Sequence, residues 1–111
     1  MGKKKQLPEY DLEEVQDLIR KGQWSMSDKA ERDILNRDLT LNDALDIVCK
    51  LSPSQFQKSM ESNNADYAGS WQDEYRYCVG NDDWYIKVQV LEDEEGIRKA
   101  RIVSFRPWGV H

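Results

Sequence analysis

Apolar residues recur at helical spacing over the first half of the chain and at every second position over its last third. Leu12, Val15, Leu18 and Ile19 form one stripe, with Asp11 placed as an N-cap and Glu14 as its capping-box partner. Gly22, after Arg20 and Lys21, is a helix stop. Residues 23–26 read as a short extended piece anchored by Trp24. Ser27 caps a second helix, with Glu31 in its first turn and Ala30, Ile34 and Leu35 pointing inward. Thr40 opens a third helix carrying Leu41, Leu45, Val48 and Leu51. Cys49 lies beside that stripe and reads as a small buried hydrophobe rather than a reactive thiol.

Ser52-Pro53-Ser54-Gln55 is the sharpest local signal: a cap, a proline at the first helical position and a glutamine that closes the box. It predicts a short helix over residues 53–60, with Phe56 and Met60 toward the core and Lys58 on a different face. Residues 61–70 are polar and read as a loop. The period then changes to two. Residues 72–79 and 84–91 are expected strands joined by residues 80–83, with Trp84, Ile86, Val88 and Val90 as a core face. An acidic turn at residues 92–96 leads into a third strand, residues 97–105, which Pro107 ends. The expectation is an α+β fold: N-terminal helices packed on a small antiparallel C-terminal sheet. Residues 1–111 make one domain, and residues 1–8 are a loose basic lead-in.

Composition narrows the chemistry. No apolar run is long enough to span a membrane, and the basic start lacks the apolar stretch of a secretory signal, so a cytoplasmic location is expected. The two cysteines, Cys49 and Cys78, and the single histidine, His111, match no zinc spacing. No metal and no cofactor are expected, and mechanisms that need a histidine base are disfavoured. The net charge of −5 argues against non-specific coating of nucleic acid but leaves room for a local basic site.

Strand alternation supplies such a site. Pairing Val79 with Trp84 sets Cys78 opposite Tyr85, Arg76 opposite Lys87, Glu74 opposite Gln89 and Gln72 opposite Leu91. One face then gathers Gln72, Arg76, Tyr85 and Lys87. In the third strand, Val103 and Phe105 point inward while Ser104 and Arg106 join Tyr85, because the other parity buries Arg106. That choice leaves Ile102 on the polar face. Cations with a tyrosine and an amide suit an anionic substrate, RNA in particular. Its 2′-hydroxyl is an internal nucleophile, so cleavage needs only a base, cations for the phosphate and an acid for the leaving oxygen. A tyrosine or lysine between cations is expected to have a lowered pKa. Spacing alone leaves a catalytic face, a partner-binding face and a plain solvated surface all open.

Three segments, LSPSQFQKSM at 51–60, WQDEYR at 71–76, and WYIKV at 84–88 with IVSFR at 102–106, resemble in order and spacing the MqsR (motility quorum-sensing regulator) toxins of type II toxin–antitoxin systems. The resemblance spans roughly residues 10–106 and is firmest after Leu51. It implies a RelE-like fold and a ribosome-independent mRNA interferase. Such an enzyme cuts single-stranded mRNA at short GC-containing triplets without a metal, and a cognate antitoxin protein neutralises it. Carried over position by position, it implies Lys58, Gln72 and Tyr85 as active-site residues. Arg106 stands where the family has a lysine. A guanidinium does not titrate near neutrality, so Arg106 is expected to clamp phosphate, leaving Tyr85 and Lys58 as acid and base in either order. Trp71 is a candidate for stacking on a base or for a structural anchor, and Arg76 and Lys87 for phosphate contacts. The acidic balance keeps an alternative, a non-catalytic relative acting as a protein-binding or regulatory module.

Overall fold

In the computed structural model, which describes residues 3–62, 69–79 and 82–107, the helix caps act as the sequence predicts. Asp11 accepts from the Glu13 N–H at 3.0 Å and starts α1 (Leu12–Arg20). Glu14 leaves the expected capping box: Arg98 holds its carboxylate through Nε and Nη2, each at 2.8 Å. A forked, charge-assisted pair outcompetes one exposed N–H bond. Gly22, at φ +78°, ends the helix in the left-handed region that a Cβ disfavours. After β2 (Trp24–Met26), Ser27 caps α2 (Asp28–Leu35) through the Ala30 N–H at 3.0 Å. Thr40 and Asp43 form a reciprocal capping box at the head of α3 (Leu41–Lys50). Leu35, expected inward, is 52% exposed. The helix ends there, Asp38 turns the chain at φ 60°, and Leu39 packs on the core instead.

The helix expected over residues 53–60 does not form. The Ser52 N–H does bond Gln55 Oε1 at 2.8 Å, but only one 3-10 turn results, Pro53–Gln55. From there the chain is β3 (Phe56–Glu61). A capping box fixes one turn and no more. Beyond it, Phe56 finds Tyr75 of β4 (Trp71–Val79) edge-on, ring centroids 5.7 Å apart, and β3 covers an edge that β4 would otherwise expose.

β4, β5 (Asp82–Glu92) and β6 (Arg98–Pro107) form the antiparallel meander that the alternation predicts. Its hairpin register differs by two from the counted one: Tyr77, not Val79, faces Trp84, Arg76 faces Tyr85 and Glu74 faces Lys87. Val79 pairs with Asp82, so the connection is residues 80–81, which lie outside the described residues. A slip of two keeps every side chain on its face, which is why the face assignments survive the error. The basic lead-in, expected to be loose, supplies β1 (Lys4–Lys5), which pairs with Met60 and Ser59. Lys5 also bonds Glu9 and sits 4.4 Å from the centre of the Trp71 ring.

The strand order is β1-β3-β4-β5-β6-β2, antiparallel throughout except for β2 along β6. The helices seal one face. Tyr75, Ile86, Val88, Ile102 and Phe105 meet Val15, Ile34 and Val48 there, all at most 1% exposed. Each such aliphatic contributes roughly 1.5–3 kcal/mol by burial. The fold is α+β, helices N-terminal and sheet C-terminal. Among the described residues no helix is long and apolar enough to cross a membrane.

Candidate functional site

Two β-bulges decide which side chains reach the other face of the sheet. In β3, Phe56 pairs with Tyr75 but Lys58 pairs with Glu74, so Gln57 is an extra residue. In β6, Ser104 pairs with Lys87 but Ile102 pairs with Val88, so Val103 is extra. Residues two apart ordinarily share a face; across a bulge they do not. Phe56 therefore packs in the core while Lys58 faces the polar side. Ile102 is buried while Ser104 and Arg106 join Lys87 and Tyr85, so the exposed Ile102 that plain alternation requires does not occur.

The result is two short rows of paired positions. One runs Lys58–Glu74–Lys87–Ser104 across four strands, and the next runs Arg76–Tyr85–Arg106 across three. At about 4.8 Å per strand step, the Cα atoms of Lys58 and Lys87 lie about 10 Å apart, and Tyr85 is about 7 Å further along. Gln72, opposite Met60, extends the face. Lys58 thus arrives on a strand, not from the end of a helix. Lys58, Gln72, Tyr85, Lys87 and Arg106 come together. Arg76 shares the face but is bound to Asp83, Nε to Oδ2 at 3.1 Å with a second contact from Nη2. Trp71 alternates to the side opposite Gln72, where Lys5 covers its ring, so a structural anchor describes it and base stacking on this face does not.

Sequence reasoning passed over Glu74. It is 3% exposed, stands between Lys58 and Lys87, and accepts a hydrogen bond from the Tyr85 hydroxyl. Strand parity had already assigned it to this face; a lone acid among cations was simply given no role. The Tyr85 ring has the Arg106 guanidinium 4.7 Å and the Lys87 ammonium 5.4 Å from its centre. Burial, then the Glu74 carboxylate, push the Tyr85 phenol well above its ordinary range, against the opposing pull of Arg106. This corrects the expected lowering: burial and then the hydrogen bond to an anion outweigh the cation beside the hydroxyl. Lys87 shifts as expected, downward. Burial is the main cause, with Arg106, Lys58 and Lys29 adding repulsion and Glu74 opposing them. Tyr85 therefore keeps its proton at neutral pH, and Lys87 gives up its proton more readily than an ordinary lysine.

Beside these residues a cleft of about 340 Å³ opens between β3, the β6 bulge and the start of α2, and it takes in Gln72 and Lys87. The acidic excess lies elsewhere: Glu13 and Asp17 on α1, Asp28 and Glu31 on α2, and residues 92–95 in the turn after β5 are all exposed. A chain of net charge −5 thus presents a local cationic face.

A small α+β fold whose sheet carries such a face defines a class of proteins suited to an anionic ligand. The family is shown directly: residues 7–107 match the model of the motility quorum-sensing regulator, toxin of MqsA, and the chain belongs to that MqsR toxin family. It is a toxin of a toxin–antitoxin system, with an antitoxin as its partner. No curated protein matches the chain.

Proposed function

We propose that the protein is a metal-independent endoribonuclease, an mRNA interferase that cuts single-stranded mRNA through the 2′-hydroxyl. The observation that carries this reading is the convergence of Lys58, Gln72, Tyr85, Lys87 and Arg106, drawn from four strands, on one face. Lys58, Gln72 and Arg106 grip the scissile phosphate. Lys87, as the neutral amine, takes the proton of the 2′-hydroxyl, and the O2′–P bond forms. The P–O5′ bond breaks as the Tyr85 phenol gives its proton to O5′. The products are a 2′,3′-cyclic phosphate and a 5′-hydroxyl. Glu74 holds the Tyr85 hydroxyl in place and keeps it protonated.

The test is inducible expression with mapping of transcript ends, wild type beside Lys58→Ala and Tyr85→Phe. Growth arrest with 5′-hydroxyl ends, lost in both variants and insensitive to EDTA, supports the scheme. Cutting that survives both changes removes it. A second reading, a non-catalytic module that holds a protein partner on this face, has the burial of Glu74 among the cations in its favour, since it already neutralises part of the site. RNA left intact and growth unaffected would select that reading.

A further inference from the structure

The bulge at Val103 does more than return Ile102 to the core. By restoring the parity it also turns Arg101 to the polar side, where it pairs with Gln89. Gln89 is fully buried, and its Oε1 accepts from Arg101 Nη1 at 3.2 Å, which fixes the direction of the guanidinium. Arg101 and Lys29, the latter on the first turn of α2, both line the 340 Å³ cleft beside Lys87. Lys29 is close enough to repel the Lys87 ammonium. Met60 and Val103 give the cleft apolar walls, and Glu61 places a carboxylate on it.

We propose that this cleft is a nucleotide subsite: it holds one unstacked RNA nucleotide adjacent to the scissile phosphate, with Lys29 and Arg101 on that nucleotide's own phosphate. The proposal rests on the endoribonuclease reading for its substrate. The chemistry of the lining selects the ligand. Lys29 and Arg101 both line the cleft, and a pair of cations there suits a phosphate. Met60 and Val103 offer faces against which a base plane packs, and single-stranded RNA presents its bases splayed out. Glu61 disfavours a second phosphate in the cleft and offers an acceptor to a base amino or imino hydrogen. Lys29 and Arg101 are positioned for binding and touch no reacting atom.

The experiment uses the full chain and short single-stranded RNAs centred on a mapped cut, trimmed by one nucleotide from either end. For the wild type, trimming on one side lowers kcat/KM by about tenfold, the worth of one charged phosphate contact. Lys29→Ala/Arg101→Gln raises KM about as much, changes kcat far less once each protein is assayed on its own pH plateau, and abolishes that length dependence. The slope of log affinity against log salt becomes shallower by roughly 0.7 for each phosphate no longer neutralised. Lys21→Ala, on an exposed charge beyond α1, serves as the control for net charge. If the wild type cuts RNA and the double variant keeps its KM and its length dependence, the subsite is wrong and the nuclease stands. If the wild type cuts no RNA, the nuclease reading fails, and binding of a short single-stranded RNA of mixed sequence by fluorescence anisotropy decides the cleft. An affinity about tenfold weaker in the double variant supports it as an RNA site, and equal affinities overturn it.

Discussion

Helix side and open side of this sheet are built from the same strands and treat water oppositely. Ile86, Val88, Ile102 and Phe105 are sealed beneath three helices, whereas Tyr85, Lys87 and Arg106 from the same strands, and Lys58 from β3, remain partly exposed. The sealed side is ordered mainly by burial, with hydrogen bonds to Asp73 and from Gln16 beside it. The open side is ordered by a carboxylate: Glu74, buried among cations, fixes the Tyr85 hydroxyl. Stability and chemistry are thereby assigned to separate sets of residues. Damage to one should leave the other largely intact.

The largest expected effect tests that separation. Phe105→Ala, at a site with no exposure, should cost about 3–5 kcal/mol in urea unfolding, a large share of a small domain's stability. Tyr85→Phe, next along the strand to the core residue Ile86, should lower kcat by about 10²–10⁴ with an unfolding midpoint near that of the wild type. A Tyr85→Phe protein that unfolds as early as Phe105→Ala would break the comparison.

A second, smaller effect is in the pH dependence of activity. Lys87 must lose its proton to act as base, and its pKa lies below the ordinary 10.5. Activity should therefore rise with pH up to that lowered value. Lys87→Arg, which does not titrate there, should remove the rising limb and not merely shift it. Glu74→Gln removes the anion that opposes the shift, so the limb should move to lower pH, as rate profiles would reveal.

Stability against pH gives the third. The folded-state pKa of Tyr85 lies above its unfolded value of 10.0, so its contribution is fully present below pH 10 and is lost as pH rises through the folded pKa. Tyr85→Phe should flatten the alkaline fall in thermal midpoint. The smallest effect concerns the α1–β6 tie. Arg98→Ala should cost about 1 kcal/mol or less, because the Glu14 pair is solvent-screened. Glu14 has a depressed pKa, so this contribution is present above about 4.5 and vanishes as pH falls through the folded value. Acid titration of both proteins would measure the difference.

The helices and meander were legible because local signals set them. Asp11, Ser27 and Thr40 cap where expected, and a period of two persists through β5. β3 was not legible, because Ser52 to Gln55 describes one turn and carries no information about the conformation of residue 56 onward. The strand is decided by Tyr75 and by the edge of β4, both distant in sequence. The hairpin register was misjudged by an even number, which parity forgives. Gln72, Tyr85, Lys87 and Arg106 were therefore grouped correctly on one face. Lys58 came from the family resemblance, and its position on β3 depends on a bulge that alternation does not reveal. Glu74 was visible by the same parity. Its effect on Tyr85 was not, since proton affinity depends on burial and on which neighbour the hydroxyl meets. Lys29 and Arg101 needed tertiary structure, one through α2 packing and the other through the second bulge.

The extra residues at Gln57 and Val103 are places in these strands where the chain can shorten by one without inverting the sheet. Many amino acids fill a bulge, so point substitution at either position leaves the fold's inside and outside as they are. Loss of that one codon would leave a regular ladder with every flanking side chain still on its own side, whereas a codon lost at a paired position some distance away would turn the side chains between it and the bulge inside out. Among descendants of this gene, a changed letter and the loss of that one letter are both tolerable at these two places.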